Sequence, residues 1–221
     1  VIATSPTAVI LYENPIAITE GAAGAPRIQT AALDTGVVTN DKIADSADKA
    51  GIWKQIESQT ASSSAQLRFT GGYGTYDEIC YKFSGIVPSS DGDDLVIKYT
   101  ADGGSTYVST SLELFSHSFA NGDASFTHGG STIIANTVGS ASGAGKEGLS
   151  GTLTVYRPTS SVYPYIEFNM VYTDSSNNVK ETFGKAQIQG TPSTDLDGIE
   201  FSFSLGDIES GTIRAIGLKN F

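Results

Sequence analysis

Two histidines, one cysteine and a scatter of carboxylates are the residues of this chain that could do chemistry. His117 and His128 fall in "SHSFANGDASFTHGG". A zinc site takes three or four ligands at compatible geometry, and Cys80 has no second thiolate to join it. The two histidines therefore read as polar loop or strand-end residues. Ser-His-Asp sets can be drawn from the many Ser and Asp, but no strand-turn-helix elbow is present to expose a nucleophile. Glu167 and Glu200 make a better case. Glycan-cleaving enzymes on all-β folds need two carboxyls roughly 5 to 9 Å apart, and both glutamates take outward positions of strand-like stretches, where they could face one another across a sheet. Carboxylates so placed are more often simply solvated. "DGDD" (Asp91–Asp94) and "DLDG" (Asp195–Gly198) carry the hard oxygens that calcium takes. Neither has the alternating spacing of a dedicated calcium loop, and Asp-Gly is ordinary hairpin chemistry, so turns are the expectation. "GGYGTY" (Gly71–Tyr76) leads into a strand and not a helix N-terminus, so it lacks the amide array that holds phosphate. No catalytic residue, metal or cofactor is expected, and the chain is not read as an enzyme.

Tyrosines are the remaining chemical resource. Tyr73, Tyr76, Tyr107, Tyr156, Tyr163 and Tyr165 lie near expected turns or strand ends, where an amphipathic ring can stack on a sugar or fill a protein interface. Tyr73 and Tyr107 are the candidate receptor contacts.

These side chains must be positioned by strands. "GIEFSFSL" alternates Ile199, Phe201, Phe203 and Leu205 with Glu200, Ser202 and Ser204, the period of a half-buried strand. "DEICYKF" places Ile79, Tyr81 and Phe83 opposite Glu78, Cys80 and Lys82, and "YIEFNMVY" aligns Ile166, Phe168, Met170 and Tyr172. With "DLVIKYT", "TYVSTSLELF", "STIIANTV", "GTLTVYR", "KETFGKAQIQ" and "GTIRAIGL", roughly nine or ten strands are predicted, joined by Asp-Gly, Gly-Gly and Asn-rich turns. In "GTIRAIGL" the apolar positions slip from Ile213 and Ala215 to Ile216 and Leu218, which predicts a bulge or strand end around Gly217. No helical pattern follows Trp53. The expected fold is all-β, an antiparallel sandwich of jelly-roll type spanning residues 52–221.

The first 51 residues differ in kind. Pro6, Pro15, Pro26 and "EGAAGAP" interrupt any long element. Such a segment buries too little apolar surface to offset its chain entropy, so it is expected to gain order by docking on something else. "TAVILYENPIAIT" (Thr7–Thr19) has the β-branched character of a strand added to a neighbouring chain. A formal charge of −11 disfavours nucleic-acid phosphate as a partner. Cys80 is alone, so no intrachain disulfide is possible, and it is expected to be a buried small hydrophobe. No run approaches the roughly 18 apolar residues of a membrane span, so membrane insertion is not expected. The opening residues lack the basic n-region of a secretion signal.

"GVVTNDKIADSADKAGIW" (Gly36–Trp53) resembles the linker repeat of bacteriophage tail-fibre-type proteins, the match resting on Val38, Thr39, Lys42, Ile43, Ala44 and Asp45. The repeat occurs about once and not in tandem. Tyr76–Ser109, with its "DDL" and "YTADGGSTY" hairpin, is similar to a β domain of predicted phage fibre and head-fibre proteins, as is the closing "FSFSLGDIESGTIRAIGLKNF". The resemblance implies a structural virion protein at the phage particle surface. It implies a tail-fibre-type appendage that docks on other virion proteins, is a homotrimer, and exposes its sandwich to a host-surface glycan or envelope component. Val38, Thr39, Ile43 and Ala47 would be the assembly and docking positions. A capsid decoration or head-fibre protein is the alternative, and a carbohydrate-binding or glycan-cleaving sandwich the second.

Overall fold

The computed structural model describes residues 18–20, 26–28, 53–109, 112–120, 123–130, 132–140, 148–158, 163–188 and 196–218. Val38, Thr39, Ile43 and Ala47 lie outside them. The chain divides into a unit of residues 1–49 and a unit of residues 50–221. In the first, β1 (Ile18–Glu20) pairs antiparallel with β2 (Pro26–Ile28).

The second unit is all-β, with no helix among the described residues. Its strands are β3 (Trp53–Ser64), β4 (Leu67–Phe69), β5 (Glu78–Pro88), β6 (Asp93–Thr100), β7 (Leu112–Ala120), β8 (Asp123–Gly130), β9 (Ile133–Val138), β10 (Leu149–Tyr156), β11 (Tyr165–Thr173), β12 (Val179–Ile188), β13 (Gly198–Phe203) and β14 (Ile208–Leu218). They form an eight-stranded sheet, β3-β14-β5-β10-β11-β12-β7-β8, and a four-stranded sheet, β4-β13-β6-β9.

Four antiparallel pairs nest inside one another: β3 with β14, β4 with β13, β5 with β10 and β6 with β9. This is the pairing of one long hairpin, first strand on last, rolled so that successive rungs fall in opposite sheets. It is the jelly roll that the strand pattern led us to expect. Two extra hairpins are let into it. β7–β8 follows β6, β11–β12 follows β10, and both extend the larger sheet beyond β10.

Alternation in the sequence places the core correctly on β5 and β11. Ile79, Tyr81 and Phe83 face inward, as do Ile166, Phe168, Met170 and Tyr172. Phe201 on β13 is the hub, with edge-to-face contacts to Phe69, Tyr81 and Phe83 at ring-centroid distances of 6.0, 5.2 and 4.9 Å. Such geometry sets the positive ring edge against the negative face of its neighbour.

Two local expectations are corrected and one is refined. On β13 the outward Glu200 and Ser202 are buried as well, because β13 lies between β4 and β6 and side chains of both flank its outer row, while Leu205 lies beyond the strand and is 84% exposed. The strand end expected around Gly217 is present, β14 closing at Leu218, and the bulge beside it belongs to the partner strand. Ala215 pairs with Glu57 and Ile216 with Gln55, so Ile56 of β3 is the extra residue, and β14 keeps Ile213, Ala215 and Gly217 inward. A Cβ on Gly217 would stand 2.4 Å from the Tyr76 ring, so this close approach accepts glycine alone. Cys80, finally, is only half-buried and sits on the outer row of β5, in register with Thr154 and Ile216.

Candidate functional site

The structure separates the tyrosines that the sequence grouped. Tyr73 is no receptor contact in this fold. It follows Gly72, whose φ of 86° turns the chain inward, and its buried hydroxyl bonds that of Tyr81. Burial foremost, reinforced by Tyr81, pushes the Tyr73 hydroxyl well above its ordinary value. Tyr107 is half-buried beyond the end of β6, with the Arg68 guanidinium 4.5 Å above its ring. Its loop is shaped by the Asp102 carboxylate, which accepts from Thr100 Oγ1 at 2.6 Å and from the Thr106 amide at 2.8 Å. The Arg68 stack occupies one face of the ring that a receptor would need.

Glu167 and Glu200 do not form an acid pair. Their strand neighbours Phe168 and Phe201 point into the core from opposite sheets, so the two carboxylates project from opposite outer faces. Packed sheets are already about 10 Å apart, which puts the separation beyond the range of a glycosidase pair. Glu200 is also committed. It lies in a cross-strand row with Arg68 and Lys98, accepting from Arg68 Nε at 2.7 Å and Lys98 Nζ at 2.8 Å. Burial would raise this carboxyl, but the hydrogen bonds and charges of Lys98 and Arg68 outweigh it and hold the group below its usual range.

The aspartate clusters do turn chemistry. Buried Asp93 accepts from the Ser204 and Leu205 amides and from Ser204 Oγ at 2.6 Å. Asp94 accepts from the Thr137 amide, Asp91 from that of Ser140, and Asp197 from that of Gly103. Among the described residues no three His, Cys, Asp or Glu side chains group as a metal site. His117 and His128 fall within β7 and β8 and not in loops, in register with Phe126 and Phe115 respectively.

What the fold does bring together is a patch on the outer face of the large sheet, where the inserted β11–β12 hairpin lies beside β10. Cross-strand register sets Tyr156 beside Tyr165, Thr154 beside Glu167 and Lys185, and Thr152 beside Asn169 and Phe183. These side chains line a concavity of about 600 Å³, Tyr165 excepted, which stands next to it. Phe183 is 38% exposed and Tyr165 49%, unusual for large rings on a sheet that already has a full core. Tyr156 Oη donates to Glu167 Oε2 at 3.3 Å, Lys185 Nζ lies 3.7 Å from Glu167 Oε1, and Asn169 Nδ2 donates to Glu181 Oε1 at 3.4 Å. Burial, then the neighbouring Glu167, raises the Tyr156 hydroxyl above its ordinary value. The arrangement offers apolar rings among donors and acceptors of both signs, a binding chemistry with no poised nucleophile.

Of this set the sequence reading singled out Tyr156, Tyr165 and Glu167. Thr152, Thr154, Asn169, Phe183 and Lys185 were missed. The readable signal was the outward row of "KETFGKAQIQ", where Glu181, Phe183 and Lys185 put an aromatic ring on the solvent side at period two.

No family model, curated protein or solved structure matches this chain.

Proposed function

We propose that this chain is a structural component of a bacteriophage particle that attaches to the host surface: residues 1–51 dock it on other virion proteins, and the jelly-roll body presents the outer face of its larger sheet. The reading joins the fibre-like linker and β-domain motifs of the sequence to one structural observation, which carries it. A self-contained body with a complete core nonetheless leaves Tyr156, Tyr165 and Phe183 around an open concavity, and exposed clusters of large rings mark contact surfaces. The body uses no disulfide and closes its core with paired strands and packed aromatics, a build suited to persistence outside a cell. A tail-fibre-type position and a homotrimer belong to this reading, and a head-fibre or capsid-decoration position is its variant. The placement of Glu167 and Glu200 gives no support to glycan cleavage by that pair.

Particles purified from infected cells test it. The protein is expected among the virion proteins, and label on the chain shows whether it sits on tail or shell. Deleting residues 1–50 is expected to leave a folded body that no longer copurifies with particles. Absence of the full chain from purified virions would remove the proposal.

A further inference from the structure

The outer patch carries information about its ligand. Across β14, β5, β10, β11 and β12 the outward charges are Arg214, Lys82 and Lys185 against Glu78, Glu167, Glu181 and Glu209, so the face carries no excess of cations. A polyanion would find no excess of cations here and would be repelled at longer range by the net charge of −11. The polar contacts within the patch are long and exposed, at 3.3 to 3.7 Å, so hydroxyl groups of a ligand can replace them at low cost. A carboxylate, an amide, an ammonium and two threonine hydroxyls together supply many donors and acceptors for an uncharged polyhydroxylated molecule.

The rings set its size. Tyr156 and Tyr165 share one cross-strand row, and Phe183 pairs with Asn169, four residues farther along β11 than Tyr165. At about 3.4 Å per residue and about 4.8 Å per strand, the two aromatic ends lie about 14 to 17 Å apart. That is several sugar rings, with Thr154, Glu167, Lys185, Thr152 and Asn169 between them. The apolar C–H face of a pyranose packs on an aromatic ring as another apolar surface does.

We propose that this face binds a neutral oligosaccharide, extended along β10 to β12, with one sugar stacked at Tyr156 and Tyr165 and another at Phe183. The inference deepens the attachment reading and rests on it for its biological setting. The lack of excess cations favours this occupant over an acidic polysaccharide, and the small area of exposed apolar ring favours it over a second copy of the chain.

The full chain, tested on immobilised neutral oligosaccharides of one to eight sugars (gluco-, manno- and galacto-series) and on oligogalacturonate, is expected to bind a neutral series. Binding should strengthen steeply until the oligomer is long enough to reach both ends. Phe183→Ala is expected to weaken binding about tenfold or more, and Phe183→Trp to retain it. Circular dichroism of both variants verifies the fold. Binding to no neutral series, preference for oligogalacturonate, equal binding of monosaccharide and octasaccharide, or loss of an oligomeric state in Phe183→Ala would each overturn the inference. Particles carrying the same substitutions separate it from the reading beneath it. If Phe183→Ala abolishes adsorption while no neutral sugar binds, attachment stands and the ligand assignment fails. If sugar binds and adsorption is unaffected, the assignment stands and this face is not the attachment surface.

Discussion

Glu200→Gln tests the reasoning about how the smaller sheet is held. The carboxylate is 2% exposed and accepts from two cations, and amide replacement removes its charge while preserving its shape. Hydrogen bonds to charged groups contribute about 1.5 to 3 kcal/mol each when sheltered. Arg68 and Lys98, however, are 49% and 37% exposed and rehydrate once released, so the screened, surface-pair value is the better guide for each. The net loss for the two pairs works out at about 1 kcal/mol. For a body of this size that lowers Tm by roughly 2 to 4 °C. The sign of the pH dependence follows from the depressed carboxyl. Its contribution is fully present above the unfolded value of about 4.3 and fades as pH falls through the lower folded value. Calorimetry of both proteins across neutral to acid pH is therefore expected to show a gap at neutrality that closes in acid. Equal Tm at neutrality, or a gap that persists undiminished in acid, would refute the argument.

Other expectations follow from single contacts. Gly151→Ala would bring a Cβ to 2.2 Å from the Asn169 carbonyl oxygen, and because backbone must move, stability should fall by about 3 kcal/mol in denaturant titration. Asp93→Ala strands the Ser204 and Leu205 amides and is expected to cost about 2 to 3 kcal/mol, with faster hydrogen exchange in the loop joining β13 to β14. Burial raises both Tyr73 and Tyr81, so their neutral forms stabilise the fold up to their unfolded values near 10, and that contribution is lost as pH rises further. Ultraviolet titration should find these two hydroxyls silent until alkaline unfolding, and either of them ionising in the folded protein would refute the argument.

The strands most legible in the sequence were those with one face on the core and one on solvent. β5 and β11 alternate strictly, and reading Ile79, Tyr81, Phe83 and Ile166, Phe168, Met170 as inward was enough to orient them. β3 went unread for a physical reason. It is an edge strand with exposed or half-exposed residues on both sides except Ala61, so "WKQIESQTASSS" has no apolar period to find. β13 was found by the same alternation, but the burial of its polar row, Glu200 and Ser202, comes from neighbouring strands and leaves no mark in its own sequence. Tyr73 was misplaced because its proximity to a turn says nothing of which way the turn points, and that is decided by the backbone at Gly72. The outer patch depends on register between β10, β11 and β12, and register is a property of the folded sheet and not of any one strand.

Competition for the host surface tests the central claim most directly. Host cells preincubated with the purified full chain are expected to adsorb phage particles more slowly, in proportion to the protein added, while Phe183→Ala at the same concentrations leaves adsorption unchanged. Unimpeded adsorption with the wild-type chain, or equal inhibition by Phe183→Ala, would contradict the account.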